Sequence, residues 1–220
     1  MAEAPGWPRH ALVRVAPAAW AAALDGHAQA GLALLQGWAA QGWPAIIRRP
    51  QPCDAPGLVP LGVPLPPAQG KQRIALAVPA SAILTTTPPP PLAQAAIAAP
   101  PSWQPRIAAL LALATQYGIV PACFGGLAWQ HLTGLAYLSP SSDLDTLWPL
   151  NTADMAPGLA ADLAQAAAGP GPQLDGELLF PGGMAVNWRE FHAAGPDDML
   201  LVKEARRARL LPRVTLMQAA

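Results

Sequence analysis

The chain has 220 residues, 52% of them hydrophobic and only 12% charged, so it can bury a substantial core. Its formal net charge is zero, which excludes a bulk basic surface for nucleic acid. The balance is uneven: seven basic and three acidic residues precede position 143, and six basic and ten acidic residues follow from there. A basic front and an acidic back suit an anionic ligand met by metal-binding carboxylates, although counts this small also arise by chance. Cys53 and Cys123 form no CxxC and have no histidine at metal spacing, which fits a reducing cytoplasm better than a disulfide framework. The N-terminus does not read as a signal peptide, and no run of eighteen apolar residues suggests a membrane span.

In chain order, residues 17–40 read as one helix or two short ones, and WPAIIRRP (43–50) as a strand. Residues 51–69 are rich in Pro and Gly and read as a loop, and KQRIALAV (71–78) as a second strand. The stretch 85–103 carries a run of prolines and reads as a linker. The domain boundary is therefore expected near residue 95, giving a smaller α/β domain over 1–95 and a second over 96–220. Residues 106–118 have helical periodicity and end at Gly118. IVPACF (119–124) reads as a short strand, GGLAWQHLTGL (125–135) as a helix and YLSPSS as a turn. DLDTLW (143–148) reads as a strand, 153–168 as a helix, and LDGELLF (174–180) and MAVNWRE (184–190) as two strands around the PGG turn. Residues 197–210, opened by acids and closed by bases, read as a helix, and 213–218 as a last strand.

The chemistry concentrates around Asp143 and Asp145. On a strand, residues i and i+2 share a face roughly 6–7 Å apart, while Leu144 points into the core. Two neighbouring carboxylates repel unless a cation lies between them. Mg²⁺ takes one or two carboxylates plus phosphate oxygens and waters, so this pair suits metal-assisted phosphoryl chemistry. A solvated strand end is the structural alternative. Gly125 and Gly126 end a strand and open a helix whose free N–H groups can cradle a polyphosphate. Asp175 and Glu177 share a face of a later strand, and either can be the third acid. Lys71 and Arg73, two apart on a strand, are the better basic pair for phosphate. Arg48 and Arg49 point to opposite faces, so only one of them can serve. No GxxxxGK[ST] and no GxGxxG after a strand occur, which excludes a P-loop and a dinucleotide fold.

Strand–GG–helix, a DxD strand and a third acidic strand resemble the order in the polymerase-β-like nucleotidyltransferase superfamily. The runs FGGLAWQHLTGLAYLSPSSDLDTLW and LDGELLFPGGMAVNWRE, with WPAIIRRP and GKQRIAL earlier, more closely resemble the phosphoribosyl-dephospho-CoA transferases of malonate decarboxylase, also called holo-acyl-carrier-protein synthases. That resemblance covers nearly the whole chain. It implies a nucleotidyltransferase domain with a mixed sheet behind the N-terminal domain. It also implies a reaction. A serine of the acyl-carrier subunit attacks 2′-(5″-triphosphoribosyl)-3′-dephospho-CoA, and diphosphate leaves. Asp143 and Asp145 would hold Mg²⁺, with Asp175 preferred to Glu177 as third acid. Gly125 and Gly126 would cradle the triphosphate. From their strand spacing, not from the resemblance, Lys71 and Arg73 are expected to reach it across an interdomain cleft, with an ordinary exposed strand face as the alternative. In such proteins the second glycine of FGG is often serine; here it is Gly126. Lys203, Arg206 and Arg207, on one face of the expected 197–210 helix, are offered as a docking surface for the carrier, with a solvated helix end that satisfies the dipole as the alternative. Arg189, Glu190 and His131 have no assigned role. Another acceptor, or a donor-binding module without turnover, are the rival readings.

Overall fold

In the computed structural model, residues 10–205 and 207–218 are described. The chain divides into two units, one running to Pro89 and one beginning at Pro90. Both mix helix and strand, so the chain is an α/β protein with two sheets. Among the described residues no helix is long and apolar enough to cross a membrane.

The first unit holds β1 (Leu12–Val15), α1 (Pro17–Leu24), α2 (Ala33–Gly37), β2 (Ala45–Ile47), β3 (Leu58–Pro64), β4 (Arg73–Pro79) and β5 (Ile83–Thr87). Its strands form one antiparallel sheet in the order β4-β3-β2-β1-β5. Ile74, Leu76 and Val78 of β4 are buried, while Arg73 and Ala75 between them are exposed, the alternation of a half-buried strand. The indoles of Trp20 and Trp38 are buried, and each N–H donates to a carbonyl, Leu35 at 2.7 Å and Pro44 at 2.9 Å. Such partners offset the cost of taking the indole N–H out of water.

Two expectations about proline-rich segments hold only in part. Residues 51–69 are not all loop, because β3 occupies 58–64 and pairs with β2 and β4. The Pro60 carbonyl accepts from the Arg48 N–H at 3.0 Å, so its ring nitrogen faces the end of β2, where a missing donor removes only a terminal ladder bond. The stretch 85–103 does hold the boundary between the two units, at Pro89/Pro90, but it is linker only in part. It completes β5, forms α3 (Leu92–Ala95) and two 3₁₀ turns, and buries Leu92, Ala95 and Trp103. Pro91, Pro100 and Pro101 stand at the starts of its helical turns, where an N–H would be orphaned anyway.

The second unit continues with α4 (Gln104–Tyr117), β6 (Ala122–Cys123), α5 (Gly125–Thr133), β7 (Leu144–Pro149), α6 (Ala156–Ala168), β8 (Leu174–Leu179), β9 (Ala185–Asn187), α7 (Trp188–Ala193), β10 (Met199–Lys203), β11 (Ala208–Pro212) and α8 (Arg213–Met217). The sheet order is β11-β10-β9-β8-β7-β6. The pair β7–β8 is parallel and the rest are antiparallel, so the sheet is mixed. Parallel neighbours need a crossover, and α6 supplies it. Leu144, Trp148, Leu174, Leu178, Val186, Leu200 and Val202 join Ile107 and Leu110 of α4 and Leu159 and Leu163 of α6 in one core. By alternation and register, Asp145, Asp175, Glu177, Asn187 and Lys203 lie on the other face.

The C-terminal expectations change most. Residues 197–210 are not a helix but the β10–β11 hairpin. Leu200 and Val202 are buried while Met199 and Leu201 are exposed, and period two with a β-branched Val overrides the favourable dipole order of the charges. Residues 213–218 form the helix α8 instead of a strand. The strand expected over 184–190 stops at Asn187, whose side-chain oxygen accepts from the Arg189 and Glu190 N–H groups and starts α7.

Candidate functional site

Gly125 and Asp145 form the centre of the candidate site. After β6 the backbone of Phe124 is extended, and its N–H donates to the Asp145 carbonyl at 3.1 Å. Gly125 then turns with φ +63°, a conformation that L side chains rarely adopt, and α5 begins. The Asp145 carboxylate rests against this glycine: a Cβ added there would lie 2.7 Å from the carboxyl carbon. The acid thus sits at the opening of α5, where the helix dipole favours negative charge. Gly126 is different. A Cβ there would press on the Cδ2 methyl of Leu138 at 2.9 Å, a flexible end that can move, and touch the Tyr137 carbonyl oxygen at an ordinary 3.8 Å.

Asp175 stands opposite Asp145 in the parallel β7–β8 register, and both are half-buried. The strands are held closely at the next residue. Thr146, fully buried, donates its hydroxyl to the Asp175 carbonyl at 3.0 Å and accepts from the Trp148 indole at 2.9 Å. Gly176 leaves room for it, since a Cβ at that position would lie 2.7 Å from the Thr146 hydroxyl. Asp143 precedes the first residue of β7 and is exposed, so the expected strand alternation of Asp143 with Asp145 begins one residue too early.

Glu177 lies on the same face but is 5% exposed, and the Lys203 ammonium sits 2.9 Å from its carboxylate. That contact also separates Lys203 from the expected docking helix. Arg207 and Arg209 both bind Glu204 in the hairpin, at 2.5 and 2.7 Å, and Arg206 lies outside the described residues. The docking surface therefore loses the helical geometry on which it stood.

In the first unit, Arg48 forms a two-point ion pair with Asp54 and donates to the Leu61 carbonyl. This hydrogen-bonded guanidinium holds the Asp54 carboxyl below the ordinary carboxylate range. Arg49 and Arg73 are exposed. Lys71 is exposed but lies in the turn before β4 with φ +55°, so strand alternation does not pair it with Arg73.

Three further side chains converge on the start of β8. Asn187 donates to one Asp175 carboxylate oxygen at 2.8 Å. Arg189 donates from Nε and Nη2 to the Leu174 carbonyl, at 3.1 and 2.8 Å, and lies 4.5 Å over the buried Trp188 ring. Arg106, 4% exposed, donates to the carbonyls of Pro172 and Gly169 in the preceding loop. Burial, then Arg189, lowers its affinity for a proton. Arginine at 106 inside a helix of apolar periodicity, and the N-x-x-E pattern at 187–190, are the signals that mark these residues in the sequence. His131 is half-buried in the last turn of α5. Cys123 is buried beneath the site, and burial with Asp145 pushes its thiol up to about 12, so it is protonated and no nucleophile at neutral pH.

Among the described residues no three His, Cys, Asp or Glu side chains gather as a metal cage. Asp145 nevertheless presents a hard oxygen donor from β7, with the exposed Asp143 two residues before it, within the one or two carboxylates that Mg²⁺ takes from protein when phosphates complete its shell. The residues present fit such an ion.

The family comparisons agree over both units. The N-terminal domain of phosphoribosyl-dephospho-CoA transferase MdcG matches residues 8–89, and its C-terminal domain matches residues 91–214. The phosphoribosyl-dephospho-CoA transferase of Xanthomonas campestris pv. campestris (strain 8004) is 46% identical over 208 residues, covering 94% of this chain and 95% of its own. The protein of the same name from Bradyrhizobium diazoefficiens is 41% identical over 213 residues, covering 96% and 93%. No solved structure matches the chain significantly. With both domain models and near-complete coverage in agreement, the chain belongs to the phosphoribosyl-dephospho-CoA transferase family.

Proposed function

We propose that this protein transfers the 2′-(5″-phosphoribosyl)-3′-dephospho-CoA group from its triphosphoribosyl precursor to a serine of the malonate decarboxylase acyl-carrier subunit, with release of diphosphate. The observation that carries the reading is the Asp145–Asp175 pair, in register on adjacent strands at the glycine turn of α5. We read this second unit as a nucleotidyltransferase-type domain.

The serine oxygen forms a bond to the α-phosphorus while the bond to the diphosphate oxygen breaks. The serine proton passes to a carboxylate, for which Asp175 is better suited than Glu177, because Lys203 engages Glu177. Backbone N–H groups at Gly125 and Gly126 meet the phosphate oxygens and hold them in line with the attack. Asp143 and Asp145 would hold Mg²⁺, which when bound offsets charge on the phosphates. Lys71 and Arg73 are proposed as donor-binding bases; Arg48, held by Asp54, is the weaker candidate. Both cysteines are free thiols, which supports a reducing cytoplasmic setting.

The test is the intact mass of the purified carrier subunit after incubation with this protein, the triphosphoribosyl donor and Mg²⁺. A gain equal to the prosthetic group, abolished by EDTA and by the Asp143→Asn/Asp145→Asn variant, is expected. Donor binding without any gain would point to another acceptor or to a binding module. A gain insensitive to EDTA would remove the metal from the reading.

A further inference from the structure

We propose that Asn187 is a positioning residue that determines which oxygen of Asp175 is presented to the reaction. The inference rests on the reading of Asp175 as proton acceptor and deepens it.

Asp175 Oδ1 accepts two hydrogen bonds, from the Gly176 N–H at 2.8 Å and from the Asn187 side-chain amide at 2.8 Å. Among the described residues its other oxygen, Oδ2, has no hydrogen-bond partner. The carboxylate therefore has one saturated oxygen and one available oxygen. A carboxylate with no such constraint can rotate and exchange the two.

The Asn187 amide is itself locked. Its Oδ1 accepts from the Arg189 N–H at 2.9 Å and from the Glu190 N–H at 3.3 Å. Flipping the amide would set its NH₂ against two N–H donors and its oxygen against a carboxylate. Only one orientation satisfies every group. Asn187 thus couples two roles: its oxygen caps α7 and its nitrogen fixes Asp175. Those roles separate chemically. Aspartate and serine both cap a helix about as well as asparagine, but neither donates an amide N–H to Asp175.

The experiment compares Asn187→Asp, Asn187→Ser and Asn187→Ala with the wild type in carrier modification, alongside thermal unfolding. Asn187→Ser is expected to keep the wild-type Tm, whereas Asn187→Asp sets a second carboxylate against Asp175 and lowers it. In Asn187→Ser kcat falls at least about tenfold while KM for the donor stays within about twofold, the signature of misplaced chemistry instead of lost binding. Asn187→Ala loses both Tm and kcat. Wild-type kcat in the serine variant would overturn the inference, as would a kcat loss there that only tracks Tm. A second measurement needs no turnover. The Asn187 side-chain amide protons are expected to exchange slowly with solvent in the wild type and quickly in Asp175→Ala. Rapid exchange in the wild type would overturn the inference even if transfer is observed. Absence of transfer with a protected amide would instead strike the functional reading and leave the Asn187–Asp175 contact standing.

Discussion

Lys203 on β10 reaches past β9 to Glu177 on β8, and this 2.9 Å ion pair ties the hairpin edge of the sheet to its acidic face. Glu177 is 5% exposed, so Lys203 offsets a charge that little water solvates. Lys203→Ala is expected to destabilise the protein by about 2 kcal/mol, less than the 3–5 kcal/mol of a fully buried pair, because the Lys203 side chain is 31% exposed. Urea unfolding measures this. Glu177→Gln should retain transfer within about threefold, whereas Asp175→Asn should lose at least about 100-fold. Equal losses in the two variants would make Glu177 a participant in the chemistry.

The two glycines that open α5 should respond differently to added side chains. Gly125→Ala forces a Cβ into the Asp145 carboxylate at a positive φ, and transfer should fall by at least about 100-fold with a stability loss of about 1–3 kcal/mol. Gly126→Ser displaces only a Leu138 methyl group and should keep transfer within about threefold. Comparable kcat/KM in both variants would remove the special place of Gly125.

The Arg48–Asp54 pair gives the first unit a defined acid dependence. Arg48 depresses the Asp54 pKa in the folded state, so the unfolded chain binds a proton more readily there. The stabilisation is complete above the unfolded value of about 4 and is lost as pH falls through the lower folded value. The difference in unfolding midpoint between the wild type and Asp54→Asn should therefore be constant near neutrality and shrink below about pH 4. A difference that persists at pH 2 would assign the effect to something other than this carboxylate.

Thiol labelling reads the interior beneath the site. Cys53 is exposed and Cys123 is buried, with its thiol pushed up to about 12. Iodoacetamide at pH 8 should modify one thiol in the native protein and a second only after denaturation, as counted by mass. Rapid modification of both would mean that β6 opens readily.

Much of the second unit was legible because its signals are local. The periodicity of 106–118, the double glycine at 125–126 and the apolar strands around Asp145 and Asp175 each declare themselves within a few residues. The register that sets Asp145 against Asp175 and removes Glu177 to Lys203 is a tertiary property, and no spacing along the chain contains it. The proline-rich stretches misled for a related reason. Pro60 in a strand and Pro91 before a helix are tolerated by where their nitrogens face, which depends on neighbours distant in sequence. At 197–210 the charges suggested a helix, but the alternation of Leu200 and Val202 between exposed residues carried the opposite message. Asn187 was hidden inside what read as a strand, although its N-x-x-E spacing is a helix start.

The parallel crossover through α6 has a consequence for the order of events as the chain is made. Asp145 and Asp175 are thirty residues apart in sequence, and no hairpin can bring them side by side. Their meeting requires α6 to have docked and the long connection to have closed, a late and non-local event in folding. A nascent or half-folded chain therefore carries isolated acids but no paired site. Under the proposed function, such a chain cannot begin transfer before the core beneath the site is complete.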